Sequence, residues 1–179
     1  GGDTSPLVLD LLPGSMVDLM MNGVVDAHAF SLVEHGDSVL PVIVAVTMDY
    51  STGVLTVNAS ETIDLTPPDL FNPTKLAIAD TAFGQPVVVL DDKITFEAKD
   101  TTSIRIHLTE SQRFTALKNS GVPGGDTTAI FVIVGLQLMR DLARNPSEAF
   151  PPVTAVEIPD TRLPTIIGAT INYNDGRLT

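Results

Sequence analysis

Two short acidic segments carry the residues best suited to bind an ion. They read Glu34-x-x-Asp37 and Glu157-x-x-Asp160, and each stands where one run of predicted strands ends and the next begins. Hard cations prefer several oxygen ligands, so carboxylates gathered at such junctions favour a Ca²⁺ site, with Asp18, Asp49 or Asp141 as additional ligands. A solvated acidic linker, or carboxylates that cap backbone amides, would explain the same residues, and the spacing is not that of an EF-hand.

A second candidate is a modification site. Asn58-Ala59-Ser60 is an N-glycosylation sequon, and its alternation with Leu55 and Val57 predicts that Asn58 faces outward. The alternative is an ordinary polar residue on a strand.

Catalytic constellations are not found in the sequence. The chain has no cysteine and three histidines, and it contains neither an HExxH motif nor a GxSxG elbow. The segment Gly124-Gly125-Asp126-Thr127 could hold an anion, but it lacks the lysine of a P-loop and is interpreted as a structural turn. We therefore predict that the chain is not an enzyme and needs no cofactor other than the proposed Ca²⁺.

Charge and hydropathy exclude two classes of partner. The formal net charge is −12 and the pI is about 4.3, which argues against nucleic-acid binding. The longest apolar run, residues 130–139, is too short for a transmembrane helix, so we predict no membrane span in this chain.

The elements that must position these residues are mostly strands. Alternating or β-branched segments predict strands at 39–48, 54–59, 75–78, 87–90, 94–98, 104–108, 129–134, 136–142 and 153–158. A capping box at Thr109 and Gln112 predicts one short helix that stops near Gly121. Gly53 and Gly176 are expected to adopt positive φ in hairpin turns, where Tyr50 and Tyr173 pack over the strands. Together these features predict an all-β, antiparallel two-sheet sandwich of about seven strands with one short helix.

The chain repeats itself at a fixed spacing. Residues 40–56 read LPVIVAVTMDYSTGVLT, residues 163–179 read LPTIIGATINYNDGRLT, and the offset from Asp37 to Asp160 is 160 − 37 = 123 positions. The same offset places Gly1–Thr4 on Gly124–Thr127, and roughly a third of positions 1–56 are identical to 124–179 without a gap. The sequence therefore predicts tandem repeats, each about the size of a small domain.

This period divides the chain into three parts. Residues 1–36 would be the C-terminal part of a preceding repeat, 37–159 a complete repeat, and 160–179 the N-terminal hairpin of the next. The partial repeats predict unpaired strand edges that need partners. Those partners would be adjacent repeats of the same polypeptide or neighbouring copies of the chain.

The repeat resembles the tandem bacterial-type Ig-like domains of S-layer and adhesin proteins. The residues that carry the resemblance form three groups: Asp49, Gly53, Leu55, Thr56, Ser60, Glu61 and Asp64; Leu108, Thr109, Leu117 and Lys118; and Asp141, Ala143, Asn145 and Pro146. Arg144 stands where the family prefers glycine.

The resemblance implies an Ig-like fold and an extracellular, cell-surface location. It implies a structural protein whose modules build a filament, stalk or surface array, with copies of itself as partners in a homopolymer. An adhesin that recognises a glycan or protein through loops at one end of the sandwich is the alternative. A third reading is an accessory domain of a large secreted enzyme.

Overall fold

The computed structural model describes residues 5–178, which are mostly β-structure in several sheets. The strands are β1 (Val8–Leu11), β2 (Ala27–Ser31), β3 (Ile43–Asp49), β4 (Val54–Ile63), β5 (Leu76–Ala79), β6 (Pro86–Val89), β7 (Thr95–Phe96), β8 (Thr101–His107), β9 (Phe131–Val134), β10 (Phe150–Thr154), β11 (Val156–Ile158), β12 (Ile171–Asn172) and β13 (Arg177–Leu178). The helix α1 spans Glu110–Lys118, and two 3₁₀ turns span Pro68–Leu70 and Pro73–Lys75.

Two larger sheets share one apolar core. The four-stranded sheet has the order β10-β9-β5-β6, and the five-stranded sheet has the order β11-β3-β4-β8-β7. Met48, Leu55 and Ile104 from the larger sheet lie in the same buried cluster as Ile78 and Val132 from the smaller one. Burial of these side chains is the main source of stability for the region between β3 and β11.

Alternation along the strands decides which side chains enter this core. In β4, Leu55 and Val57 are fully buried, whereas Thr56 and Asn58 on the opposite face are partly exposed. This is the period-two pattern of a sheet with one wet face. Asn58 therefore lies on the outer face of a central strand, as the sequence predicted.

The helix begins at the predicted capping box. Thr109 Oγ1 accepts a hydrogen bond from the backbone N–H of Gln112 at 3.3 Å, and Gln112 Oε1 accepts one from the backbone N–H of Thr109 at 2.9 Å. These two bonds satisfy amides that an uncapped helix start would leave without partners. The prediction of one short helix is confirmed for the described residues.

Residues 5–36 adopt the hydrogen-bond pattern of residues 128–159. The pairs Val8↔Ser31, Leu9↔Phe30 and Leu11↔Ala27 of β1 and β2 correspond, at an offset of 123, to Phe131↔Thr154, Val132↔Val153 and Val134↔Phe150 of β9 and β10. The isolated bridge Val17↔Gly23 likewise corresponds to Arg140↔Pro146. Equal spacing in sequence is thus accompanied by equal pairing in structure.

The C-terminal hairpin shows the same correspondence. The pairs Ile171↔Leu178 and Asn172↔Arg177 match Met48↔Leu55 and Asp49↔Val54 of the β3–β4 hairpin. Gly53 and Gly176 have φ values of +69° and +68° at the same turn position, which confirms the expectation that glycine is needed there.

Four predictions about the strands are corrected. Residues 136–142 do not form a strand, because Gln137 adopts a left-handed φ of +59° and the carboxylate of Asp141 closes a loop. The predicted strand 153–158 is two strands in different sheets, since the chain crosses from one sheet to the other at the buried Ala155. The second of these, β11, pairs parallel to β3, so the arrangement is not wholly antiparallel. The two larger sheets hold nine strands rather than about seven.

Candidate functional site

The junction that precedes β3 gathers three carboxylates. Oxygen atoms of Asp37, Glu61 and Asp141 lie within 4.8 Å of one another. Asp37 and Glu61 border an open cavity of about 650 Å³ that Glu34 and Arg144 also line. Like charges this close are unfavourable unless a proton, a cation or a basic group compensates them.

A tight loop holds Asp141 in this cluster. Its Oδ1 accepts a hydrogen bond from the backbone N–H of Asn145 at 2.8 Å, and its Oδ2 accepts one from Asn145 Nδ2 at 2.7 Å. Asn145 Nδ2 also donates to the backbone carbonyl of Asp37 at 3.3 Å, so it ties the loop to the junction. Asp18 and Asn22 form the same loop at 2.9 and 3.0 Å, which makes it a recurring structural element.

Glu61 is the least compensated member of the cluster. Its Oε1 is buried and has no hydrogen-bond partner among the described residues. Burial raises the pKa of Glu61, and the negative charges of Asp141 and Asp37 raise it further. The side chain can respond in two ways: it can keep a proton that it shares with Asp141, or it can give an oxygen to a bound cation.

The junction that follows β11 is arranged around Arg113 of α1. Its guanidinium group donates to the backbone carbonyl of Tyr50 at 2.8 Å, to Asp160 Oδ2 at 3.0 Å and to both carboxylate oxygens of Glu110 at 2.7 Å. The backbone N–H of Arg162 lowers the pKa of Asp160, and Arg113 lowers it further. Arg113 therefore fastens the junction residue Asp160 to the helix and to the β3–β4 turn.

Tyr50 and Glu157 fasten β11 from the other side. Tyr50 is fully buried, and its hydroxyl donates to Glu157 Oε1 at 2.7 Å. Glu157 Oε2 accepts from the backbone N–H of Gly121 at 3.1 Å. Burial raises the pKa of Tyr50, and the bond to Glu157 adds to the effect, so the phenol stays protonated. Tyr173, at the equivalent position, is 88% exposed.

The sequence predicted calcium ligands at two junctions, and the two pairs have different surroundings in the structure. Asp37 lies in the carboxylate cluster and Glu34 lines the adjoining cavity, where Glu34 Oε1 accepts from the backbone N–H of Leu7 at 2.7 Å. Glu157 and Asp160 instead face Tyr50, Gly121 and Arg113.

Of the suggested additional ligands, only Asp141 joins the cluster. Asp18 and Asp49 accept hydrogen bonds within their own turns. Sequence reasoning missed Glu61, because no local pattern reveals that the end of β4 meets Asp141. The bridge Ile63↔Asp141 creates this proximity, and it joins residues far apart in the chain.

The remaining predicted sites fall on structural elements. Asn58 lies between Ala45 and Ser103 on the outer face of the five-stranded sheet, where both neighbours are small. The loop at Gly124–Thr127 packs against the end of α1, and a Cβ on Gly125 would stand 2.1 Å from the carbonyl oxygen of Ser120. Its counterpart at residues 1–4 lies outside the described residues.

Comparisons with protein-family models, with curated proteins and with solved structures found no match to this chain. Within residues 5–178, no helix is long and apolar enough to cross a membrane.

Proposed function

We propose that this chain is part of an extracellular structural protein in which Ig-like β-sandwich modules of the 37–159 type follow one another in tandem. The modules would build a filament, stalk or surface array, with adjacent repeats or other copies of the chain as partners. The Ig-like character and the location rest on the family resemblance. The tandem arrangement is supported by the hydrogen-bond pattern that recurs at an offset of 123 residues.

The junctions support a mechanical role, because they leave little free chain. β11 ends at Ile158, the backbone N–H of Tyr50 donates to the Ile158 carbonyl at 3.0 Å, and the backbone N–H of Thr161 donates to Ser51 Oγ at 2.9 Å. With Asp160 bound to Arg113, the segment is held on both sides of Pro159. A short linker with this many contacts restricts bending between modules.

Calcium remains part of the proposal at the junctions. The carboxylates of Asp37, Glu61 and Asp141 offer hard oxygen ligands, and a bound Ca²⁺ would compensate Glu61 Oε1, which has no hydrogen-bond partner within residues 5–178. Protonation of Glu61 is the competing solution, and the two differ in their dependence on pH and on added Ca²⁺.

The experiment that tests a semi-rigid array is a length series. One, two or three extra copies of residues 37–159 would be inserted after Pro159 of the full chain, and each protein measured by small-angle X-ray scattering. We expect the maximum dimension to increase by a constant amount per inserted copy. A radius of gyration that grows as the square root of copy number, or a compact particle, would refute the proposal.

The adhesin alternative has its own measurement. No specific observation in the described residues favours it over the structural role. Saturable binding of the full chain to a glycan array, lost when loop residues at one end of the sheets are changed, would favour the adhesin function over the structural one.

A further inference from the structure

The β1–β2 hairpin exposes an apolar face whose counterpart is buried. Leu7, Leu9 and Met16 are 55%, 43% and 56% exposed, whereas Ile130, Val132 and Met139, 123 residues further on, are 0%, 0% and 2% exposed. We refer to Leu7, Leu9 and Met16 as the hairpin face. Large apolar side chains that are exposed here but buried at the equivalent positions indicate a surface that another element covers.

The strand neighbours of β9 identify that element. β9 pairs with β10 on one side and with β5 on the other, in the register Leu76↔Val134, Ala77↔Ile133 and Ile78↔Val132. β1 pairs with β2 in the same register as β9 pairs with β10, but β2 is the only strand neighbour of β1 within residues 5–178. The edge that β9 offers to β5 is therefore open in β1.

We infer that β1 binds, antiparallel and in this register, a strand of the β5 type that belongs to an adjacent copy of the module. Leu9 then lies opposite Ile78 of that copy, and Leu11 lies opposite its Leu76. The inference rests on the proposed tandem organisation and names the strand through which a preceding module takes up residues 5–36.

The pattern of exposure fits a β5-type strand better than unspecific apolar association. Leu19 is also exposed, at 102%, but its counterpart Leu142 remains 58% exposed beside a complete set of neighbours. Val33 and Val156 behave in the same way, at 85% and 64%. Leu7, Leu9 and Met16 differ from these positions, because their counterparts Ile130, Val132 and Met139 belong to the buried core.

The chain itself supplies the test. A chimera in which residues 37–123 precede Gly1 of the full chain restores the 123-residue spacing and places a second β5 ahead of β1. In the chain without the extension, amides of Val8–Leu11 should exchange rapidly with deuterium. In the chimera we expect their exchange to slow by on the order of 100-fold or more.

Two substitutions in the chimera separate strand docking from unspecific collapse. Leu9→Lys should abolish the protection of Val8–Leu11, because it places a charge in the new core, while the amides of β3 to β11 stay protected. Leu19→Lys, at a position exposed in both copies, should leave the protection unchanged.

A cysteine pair tests the register. The described chain has no cysteine, so Asp10→Cys together with Ala77→Cys in the added segment should give one disulfide, detected by mass spectrometry after proteolysis. Unprotected β1 amides in the chimera, or no disulfide in this register, would overturn the inference. The scattering series tests the semi-rigid array independently of this inference, because each inserted copy contains its own β9 and β10 and does not need β1.

Discussion

At the scale of single residues, Tyr50 ties the β3–β4 hairpin to Glu157 of β11. Its side chain is fully buried, and its hydroxyl donates a hydrogen bond to Glu157 Oε1 at the start of the junction. The equivalent Tyr173 has no such enclosure and is 88% exposed. Tyrosine at the same hairpin position is thus buried in one case and exposed in the other. Comparing the two positions measures how much burial of Tyr50 and its hydrogen bond contribute to stability.

We expect Tyr50→Phe to lower the free energy of unfolding by about 1–3 kcal/mol, because it leaves a carboxylate oxygen of Glu157 without its donor. Urea unfolding of the full chain would measure the loss. Tyr173→Phe is the matched control and should change stability by less than about 0.5 kcal/mol. Equal effects of the two substitutions would show that the bond to Glu157 contributes nothing specific.

Glu61 gives the chain a pH dependence of opposite sign to that of an ordinary paired carboxylate. Burial and the charges of Asp141 and Asp37 raise the pKa of Glu61, so the folded state holds the proton more tightly than the unfolded state. The stability that this proton provides is complete below the unfolded pKa and is lost as the pH rises through the folded pKa.

We therefore expect Glu61→Gln to be more stable than the parent chain at neutral pH when Ca²⁺ is chelated. Between about pH 4 and pH 8, the urea midpoint of the parent relative to that of Glu61→Gln should fall as the pH rises. Glu148→Gln, at an exposed position, is the control. If the cluster binds Ca²⁺, added Ca²⁺ should stabilise the parent and not Glu61→Gln. A stability difference between the two proteins that changes with neither pH nor Ca²⁺ would contradict both readings.

At the scale of elements, the decisive contacts are those that fix the helix and the crossing strand. The loop Gly124–Thr127 lies so close to the end of α1 that Gly125 has no room for a side chain; a Cβ would stand 2.1 Å from the carbonyl oxygen of Ser120 and 2.7 Å from that of Leu117. Backbone atoms cannot move aside as a flexible side chain can. Packing therefore explains the glycine at position 125, whereas Gly124 is explained by its left-handed φ of +104°.

Gly125→Ala should cost about 1–3 kcal/mol, since α1 or the loop must shift to admit the methyl group. Thermal unfolding followed by circular dichroism would measure it. Gly168→Ala is the control, because nothing lies within 4 Å of a Cβ there and its φ is not left-handed. An unchanged unfolding temperature for Gly125→Ala would indicate that the loop is not held against the helix.

At the scale of the whole molecule, the chain combines one region that has its own core with two hairpins that lack one. The buried cluster draws on residues 43–155, whereas Leu7, Leu9, Ile166, Ile167 and Tyr173 in the flanking segments are largely exposed. A two-stranded hairpin without a packed face is only marginally stable in water.

Hydrogen exchange of the unmodified chain should therefore show two classes of amide. Those of β3, β4, β5, β8 and β9 should exchange only through global unfolding, and those of β1, β2, β12 and β13 should exchange much faster. The measurement is residue-resolved exchange by NMR at low protein concentration. Uniform protection would show that the flanking hairpins are already covered, and protection that increases with concentration would indicate association between copies.

The sequence by itself determined the features that depend on neighbouring residues. The capping box at Thr109, the positive φ of Gly53 and Gly176, and the outward side of Asn58 follow from rules that act within a turn or along one strand. The offset of 123 residues could also be read directly, because a repeated pattern needs no knowledge of packing.

Only the tertiary structure decided which distant residues meet. Glu61 reaches Asp141 through a bridge between the end of β4 and a loop, and Glu157 reaches Tyr50 because the chain changes sheets at Ala155. Neither contact can be read from neighbouring residues in the sequence. Which strand pairs at the edge of a sheet depends on how the whole sheet is assembled. Likewise, only the structure places Asp37 beside Glu61 and Asp141 but Asp160 beside Arg113.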